Sequence, residues 1–415
     1  MNTKSYVLLT TALVASASCA EMMDRPSGIK IGQRMTLKPY VSVSATFDSQ
    51  SRGVRDSGED VVWMINPGLG LEYKAENWSL LASAYYQYNQ YTKKRNSSDV
   101  SHHTFGESLV YSWTDSQPGE RGWTVMLSEM YRQMNQLDEL KDASGNSYNR
   151  DRRELTTAGA IQRRFGQGLH ADINGSYYWV DYDNKNNNKY GSGLYGWDRW
   201  TVGAELGYAP TKWTDFLLVG SYGGYQQDGG NSNLKRTASR DSESWSAQAG
   251  IGSYATDRIQ YRVLGGWSRY EYKSGGKSSD GFIYTVSANW TLSDTWRTML
   301  LASSSYQPSE REYSSSARVD SISWGVAHAM VQGKLNGTFD VAYRRETREY
   351  EGVNSYDYNL DITSLRLGLS YTLNRYLSLF TNFEYRMSRP SSGSSNGRGY
   401  DYDRYRGTVG LRFTY

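Results

Sequence analysis

From Met35 to Phe47 the odd positions read Met, Leu, Pro, Val, Val, Ala and Phe, while the even positions between them are mostly Thr, Lys, Tyr and Ser. An alternation of period two puts one set of side chains on each face of an extended strand, and helical spacing does not fit it. The same pattern returns at Trp78, Leu80, Ala82, Ala84, Tyr86 and Tyr88, at Leu169, Ala171, Ile173, Tyr177 and Trp179, and at Leu365, Leu367, Leu369, Tyr371 and Leu373. It continues to the last residue. About eighteen segments, within a range of 16 to 18, can be marked between residues 35 and 415, each of roughly 12 to 17 residues. That exceeds the usual soluble strand and suits a tilted strand that crosses a membrane and projects beyond it.

The connections alternate as well. Every second segment ends in a tight turn, such as Glu76-Asn77, Gly166-Gln167-Gly168, Ser293-Asp294-Thr295 or Asn374-Arg375, and the others end in longer polar stretches such as Asn184 to Gly193. This asymmetry predicts an all-β, transmembrane, antiparallel up-and-down barrel with short periplasmic turns and longer extracellular loops. Aromatic pairs flank the short turns, Tyr73 with Trp78, Trp113 with Trp123, Trp290 with Trp296 and Tyr371 with Tyr376, as rings at a headgroup level would. A soluble propeller or sandwich also alternates, but no blade-length repeat is visible, and so many outward aromatics would aggregate in water.

Composition removes the rival classes. The mean hydropathy of -0.70 coexists with 36 Tyr and 13 Trp, too many aromatic residues for a disordered chain. One Cys excludes a disulfide scaffold. Forty-six basic residues against 43 acidic ones leave no clustered basic footprint, so no nucleic-acid partner is expected.

Residues 1–20 carry Lys4, an apolar run from Tyr6 to Val14 and small residues up to Ala20, the order of a secretory signal cleaved near Ala20. The alternative, a lipidated Cys19, lacks the aliphatic residue usual before such a cysteine: Ser16-Ala17-Ser18 precedes it. Residues 21–34 then form a short periplasmic segment and 35–415 the barrel. After residue 20 no apolar run approaches the roughly 20 residues of a helical span.

The ending Val409-Gly410-Leu411-Arg412-Phe413-Thr414-Tyr415 resembles the terminal signal read by the barrel-assembly machinery, with Phe413 and Tyr415 as its outward rings. Leu37-Lys38-Pro39-Tyr40, Phe47-Asp48-Ser49, Asp60-Val61 and Asn66-Pro67-Gly68-Leu69 resemble the putative β-barrel porin 2 family of outer-membrane proteins. The resemblance implies a porin-like barrel in the bacterial outer membrane, and for some members an association with exopolysaccharide systems.

With the apolar parity assigned to lipid, the lumen receives Arg262, Arg297, Arg344, Arg366, Arg386, Arg406 and Arg412, opposed by Glu205, Asp340 and Glu384. The Arg excess predicts a passive channel for small hydrophilic solutes with a weak preference for anions. The plain alternative is cross-strand pairing that merely hydrates the wall. Inward Tyr85, Tyr178 and Tyr270 could guide sugars in a polysaccharide export channel, and read equally as rim residues. A closed structural or adhesive barrel is the third possibility.

Enzymatic chemistry is not expected. The only histidines are His102, His103, His170 and His328, and none is followed two positions later by the Ser of the outer-membrane phospholipases. Adjacent His102 and His103 point to opposite strand faces, so they make a poor metal chelate. No cofactor is implied. One anomaly stands out: Glu107 and Glu129 share the apolar parity, and pairing Trp113 with Trp123 would set them directly opposite each other. Either a bulge reverses the parity, the simpler expectation, or this wall meets another subunit.

Overall fold

The computed structural model describes residues 28–49, 58–92, 101–115, 121–141, 147–182, 196–211, 213–227, 241–253, 258–273, 278–308, 314–350, 358–390 and 402–415. The expected signal, Cys19 and most of the longer connections lie outside them. The strands are β1 (Ile29–Ile31), β2 (Met35–Asp48), β3 (Asp60–Lys74), β4 (Trp78–Tyr91), β5 (Ser101–Thr114), β6 (Gly122–Lys141) and β7 (Ser147–Gly166). Next come β8 (Leu169–Tyr182), β9 (Trp197–Thr211), β10 (Thr214–Gln227), β11 (Ser242–Gly252), β12 (Ile259–Tyr272) and β13 (Ser279–Thr291). The last are β14 (Trp296–Pro308), β15 (Ser314–Met330), β16 (Leu335–Tyr350), β17 (Tyr358–Thr372), β18 (Leu377–Pro390) and β19 (Tyr402–Thr414).

From β2 onward each strand pairs antiparallel with its sequence neighbours, and β19 returns to β2 from Arg406 opposite Asp48 to Thr414 opposite Tyr40. The eighteen long strands therefore close into a ring. Closure matters because backbone N–H and C=O groups have no water to bond in hydrocarbon, and a closed sheet leaves no open edge. Below Tyr40, β1 pairs with Met35 to Leu37 and extends the wall where β19 has ended.

The outward parity is apolar and the other is polar. Ile173 is 62% exposed and Leu206 57%, values that fit lipid as their solvent, whereas Ser42, Ser44 and Thr46 on the other face of β2 are buried. Strands β6 and β7, with 20 residues each, are longer than the expected segments of roughly 12 to 17. At about 3.3 Å per residue they outrun the roughly 25 Å apolar band even when tilted.

Two expectations about the β4–β7 wall fail. Trp113 lies opposite Trp78 on β4 and opposite Val125 on β6, so it does not pair with Trp123. The β5–β6 ladder sets Glu107 against Tyr131 and Leu109 against Glu129, which makes the two glutamates diagonal instead of facing. No bulge intervenes: the ladder runs without a register shift, and both carboxylates stay on the outward, lipid-facing parity. Of the other girdle pairs, Tyr73 stacks on Trp78 at 4.6 Å, but Trp296 stacks on His328 at 3.9 Å and Tyr376 on Tyr415 at 5.6 Å. Rings at the short-turn end thus meet across strands more than across turns.

The turns are short because their residues supply their own caps. Asn374 Oδ1 accepts from the backbone N–H groups of Tyr376 and Leu377 at 2.9 and 3.0 Å. Between β7 and β8, Gly166, Gln167 and Gly168 all have positive φ, and a Cβ on Gly168 would run into the Ala209 carbonyl of β9.

The β19–β2 closure is fastened by charge. Arg404 donates Nε to Asp48 Oδ1 at 3.0 Å and Nη2 to Oδ2 at 2.7 Å, and Arg406 Nε reaches Oδ2 at 2.9 Å. Asp48 is 1% exposed, so an uncompensated charge there is expensive. Arg404→Ala is expected to lower barrel stability by about 3 kcal/mol, with Arg404→Lys recovering only part because it lacks the fork. Urea unfolding in lipid vesicles, followed by tryptophan fluorescence, measures this; an unchanged midpoint would detach stability from the closure.

Candidate transport lumen

Arg262 on β12 donates Nη2 to Glu205 Oε2 on β9 at 2.6 Å, spanning β10 and β11. On a flat sheet those strands stand about 14 Å apart, and on a convex face their side chains diverge. The polar parity is therefore the concave, inner one. The backbones of β11 and β12 also approach closely on this inner face: a Cβ on Gly250 of β11 would strike the Val263 carbonyl, and one on Gly266 of β12 would strike that of Ala247. Glycine at both positions permits a barrel corner.

The corner gathers ionisable groups near the short-turn end. His170 Nε2 lies 3.4 Å from Asp215 Oδ2 and 3.9 Å from Glu205 Oε1, and its ring rests where a Cβ of Gly207 would be. Asp172 joins them, with Asn174 Nδ2 donating to its Oδ1 at 2.9 Å. Arg262, one of the expected lumen residues, is thus a tie between carboxylates of the corner, not a free cation.

Across the barrel a ladder of alternating sign runs over neighbouring strands. Asp340 is opposite Arg366, Arg366 opposite Glu384, Glu384 opposite Arg406, and Arg406 opposite Asp48. Arg366 Nε is 3.3 Å from Glu384 and Arg406 Nη1 is 3.8 Å from it. Arg344 pairs with Glu346 at 2.9 Å on its own strand. Arg386 stands opposite Arg404 on the same inner parity. Arg297 projects inward near the short-turn end of β14, opposite Thr291 and Ala327. Arg412 lies 5.7 Å from the Tyr40 ring centroid and 5.8 Å from that of Phe380.

The inner wall is both paired and wet. Arg366 keeps 65% of its side chain exposed and Arg406 43%, so water reaches mid-wall and screens these pairs. Higher up, Glu154 is held between Arg132 Nη2 at 2.8 Å and Arg152, and Tyr178 donates its hydroxyl to it at 3.2 Å. Tyr270 is 2% exposed and hydrogen-bonded to Ser242, so it packs into the wall. The Glu154 knot, the His170–Asp215 contact and the role of Asp48 were missed from sequence. Parity alone marks their faces, but nothing local in sequence says which strands a corner or a closure brings together.

The closed ring of long strands, apolar outside and polar within, defines the class: a transmembrane β-barrel of the kind found in the bacterial outer membrane. A family model described as putative beta-barrel porin 2 matches residues 226–415. The match falls on the C-terminal part of the chain, not on residues 37–69, where the sequence resemblance was drawn. No curated protein matches the sequence. Among solved structures the chain overlaps the FrpB iron transporter of Neisseria meningitidis with a TM-score of 0.49 and 9% identity, covering 93% of this chain and 82% of that one. It also overlaps the siderophore receptor PirA of Pseudomonas aeruginosa, with a TM-score of 0.44 and 10% identity over 93% and 81% of the two chains. The strand pairing, not these overlaps, establishes the barrel.

Removing Arg262 would leave Glu205 beside Asp215 and Asp172 without its cation. Arg262→Met is expected to cost about 3 kcal/mol of stability, and the double variant with Glu205→Gln should recover at least about 1 kcal/mol of it. The unfolding midpoints of the four members of the cycle give the answer, and strict additivity would deny the tie.

Proposed function

We propose that the protein is a passive outer-membrane channel for small hydrophilic solutes with a weak preference for anions. The observation that carries this reading is the exposure of Arg366 on the inner face of a closed ring. Guanidinium groups in a wet lumen attract anions, but the ladder of carboxylates beside them limits the effect. The preference is therefore small and depends on ionic strength, since the screening length is about 3 Å at 1 M salt and about 30 Å at 0.01 M.

Single-channel recording in planar bilayers tests the reading. Large open steps with a reversal potential on the anion side are expected, growing as salt is lowered, and Arg366→Glu with Arg412→Glu should move the potential toward cations. Clear cation preference of the natural protein would overturn the anion part. Silence at all voltages would favour a closed structural or adhesive barrel instead.

Membrane lipid, small solutes and, during folding, the barrel-assembly machinery reading Phe413 and Tyr415 are the partners of this reading. With no bulge to turn them inward, Glu107 and Glu129 are the reason to place a contact between copies on the β4–β7 wall, because lone carboxylates are poorly solvated by acyl chains. A photo-crosslinker at position 129 should yield a dimer band from intact membranes. Labelling by lipid alone would remove that contact.

A further inference from the structure

One seam of the ring is zipped over only part of its height. The β13–β14 ladder runs from Thr291 opposite Arg297 up to Thr285 opposite Ser303 and stops there. Both strands continue toward the long-loop end. Residues from Tyr284 to Ser279 stay paired with β12, as far as Ser279 opposite Tyr270, and those from Ser304 to Pro308 stay paired with β15, as far as Pro308 opposite Ser316. Across the seam these two stretches form no ladder. The seven residue pairs below them, at about 3.3 Å per residue and tilted by roughly 40°, climb about 18 Å of the roughly 25 Å apolar band. The unzipped part therefore begins in the outer leaflet and ends among its head groups.

Backbone N–H and C=O groups with no strand opposite need another partner, because hydrocarbon offers none. In place of a ladder bond, Tyr306 of β14 reaches over the seam and donates its hydroxyl to the Asp280 carbonyl oxygen of β13 at 3.1 Å. A Cβ on Gly281 would strike that hydroxyl, so glycine leaves room for the tip of the ring. Beneath this latch Ser304 is 3% exposed, and its Oγ has no hydrogen-bond partner. Phe282, exposed, and Tyr284 form the outward lip on β13. The charges at the rim are already satisfied: Asp280 accepts from Trp267 Nε1 at 3.1 Å, and Arg318 pairs with Asp320 at 3.2 Å.

We propose that this seam is a side slot that takes the head group of an outer-leaflet lipid into the wall while the acyl chains stay outside in the leaflet. Its lining supplies backbone amides, carbonyls and the small hydroxyls of Ser303, Ser304 and Ser305, which suit an uncharged or zwitterionic head group. The aromatic lip faces lipid, where the chains remain. An extended peptide would also meet unpaired edges, but the Tyr306 latch crosses the path a strand would take. The slot goes beyond the channel reading, since it opens sideways and needs no conducting bore.

The probe is a lysophosphatidylcholine with a diazirine in its acyl chain, photolysed with the full chain in nanodiscs. Trp63 and Trp245 serve as references because each, like Phe282, is the fourth residue from the long-loop end of its strand. Label on Phe282 and Tyr284 should exceed that on the references about fivefold, the worth of one net hydrogen bond, and excess dodecylphosphocholine should remove the difference. Ile283→Cys with Ser305→Cys, opposite one another if the ladder ran on, should lock the seam as a disulfide and abolish the excess until reduced. A retained heat-induced mobility shift on gels shows that the locked protein is folded. Tyr306→Phe, which removes only the latch, should raise the label. Hydrogen exchange reads the seam without any variant: amides at 280–284 and 304–307 should exchange faster than those at 286–290 and 298–302. Slow exchange throughout overturns the open seam. Label spread evenly around the barrel, or unaltered by both the lock and Tyr306→Phe, overturns the lipid occupant, as does a peptide copurifying in the seam by native mass spectrometry. Stronger competition by dodecyl sulfate than by dodecylphosphocholine overturns the head-group class.

Discussion

Backbone hydrogen bonding without water is the constraint on which the rest depends. A strand in hydrocarbon must find partners on both edges, and the chain meets this by running every long strand beside its neighbour and returning β19 to β2. Once the ring is closed, the period of two sorts side chains between lipid and lumen with no further instruction. The closure is also where the chain brings its ends together, and there Asp48 binds two guanidinium groups in a nearly dry site. Early and late parts of the sequence meet in that contact, which couples completion of the sheet to neutralisation of a buried charge.

Much of this was legible in the sequence, and for a physical reason. Alternation, turn chemistry and aromatic placement are local, so strands such as Met35–Asp48 and Trp78–Tyr91 could be marked almost to the residue. Register was not. Two rings flanking one turn suggest a pair of Trp113 with Trp123, but the ladder slides by two residues and pairs Trp113 with Val125. A slide of two keeps every side chain on its face and changes only its neighbours. Facing was therefore recoverable where partnership was not.

The same distinction governs the lumen. That Arg366 and Arg406 share the inner face follows from parity; that they alternate with Glu384 and Asp48 along one row depends on three successive registers. The contact between Arg262 and Glu205 reaches across two intervening strands, beside a close approach of backbones at Gly250 and Gly266 that no periodicity announces. Glycine in a strand signals a close approach of some kind, but the partner is known only once the ring is built. The rings of Tyr40 and Tyr85, which stand where a Cβ of Gly68 and of Gly106 would be, belong to the same group.

The tie between β12 and β9 has a corollary for how the inner wall shares its charge. Arg262 reaches over two strands to Glu205, and His170 stands against Asp215 beside them, all four side chains largely buried, whereas Arg366 and Arg406 on β17 and β19 keep much of their surface open. Charge on one flank fastens strands together; on the other it stays within reach of water.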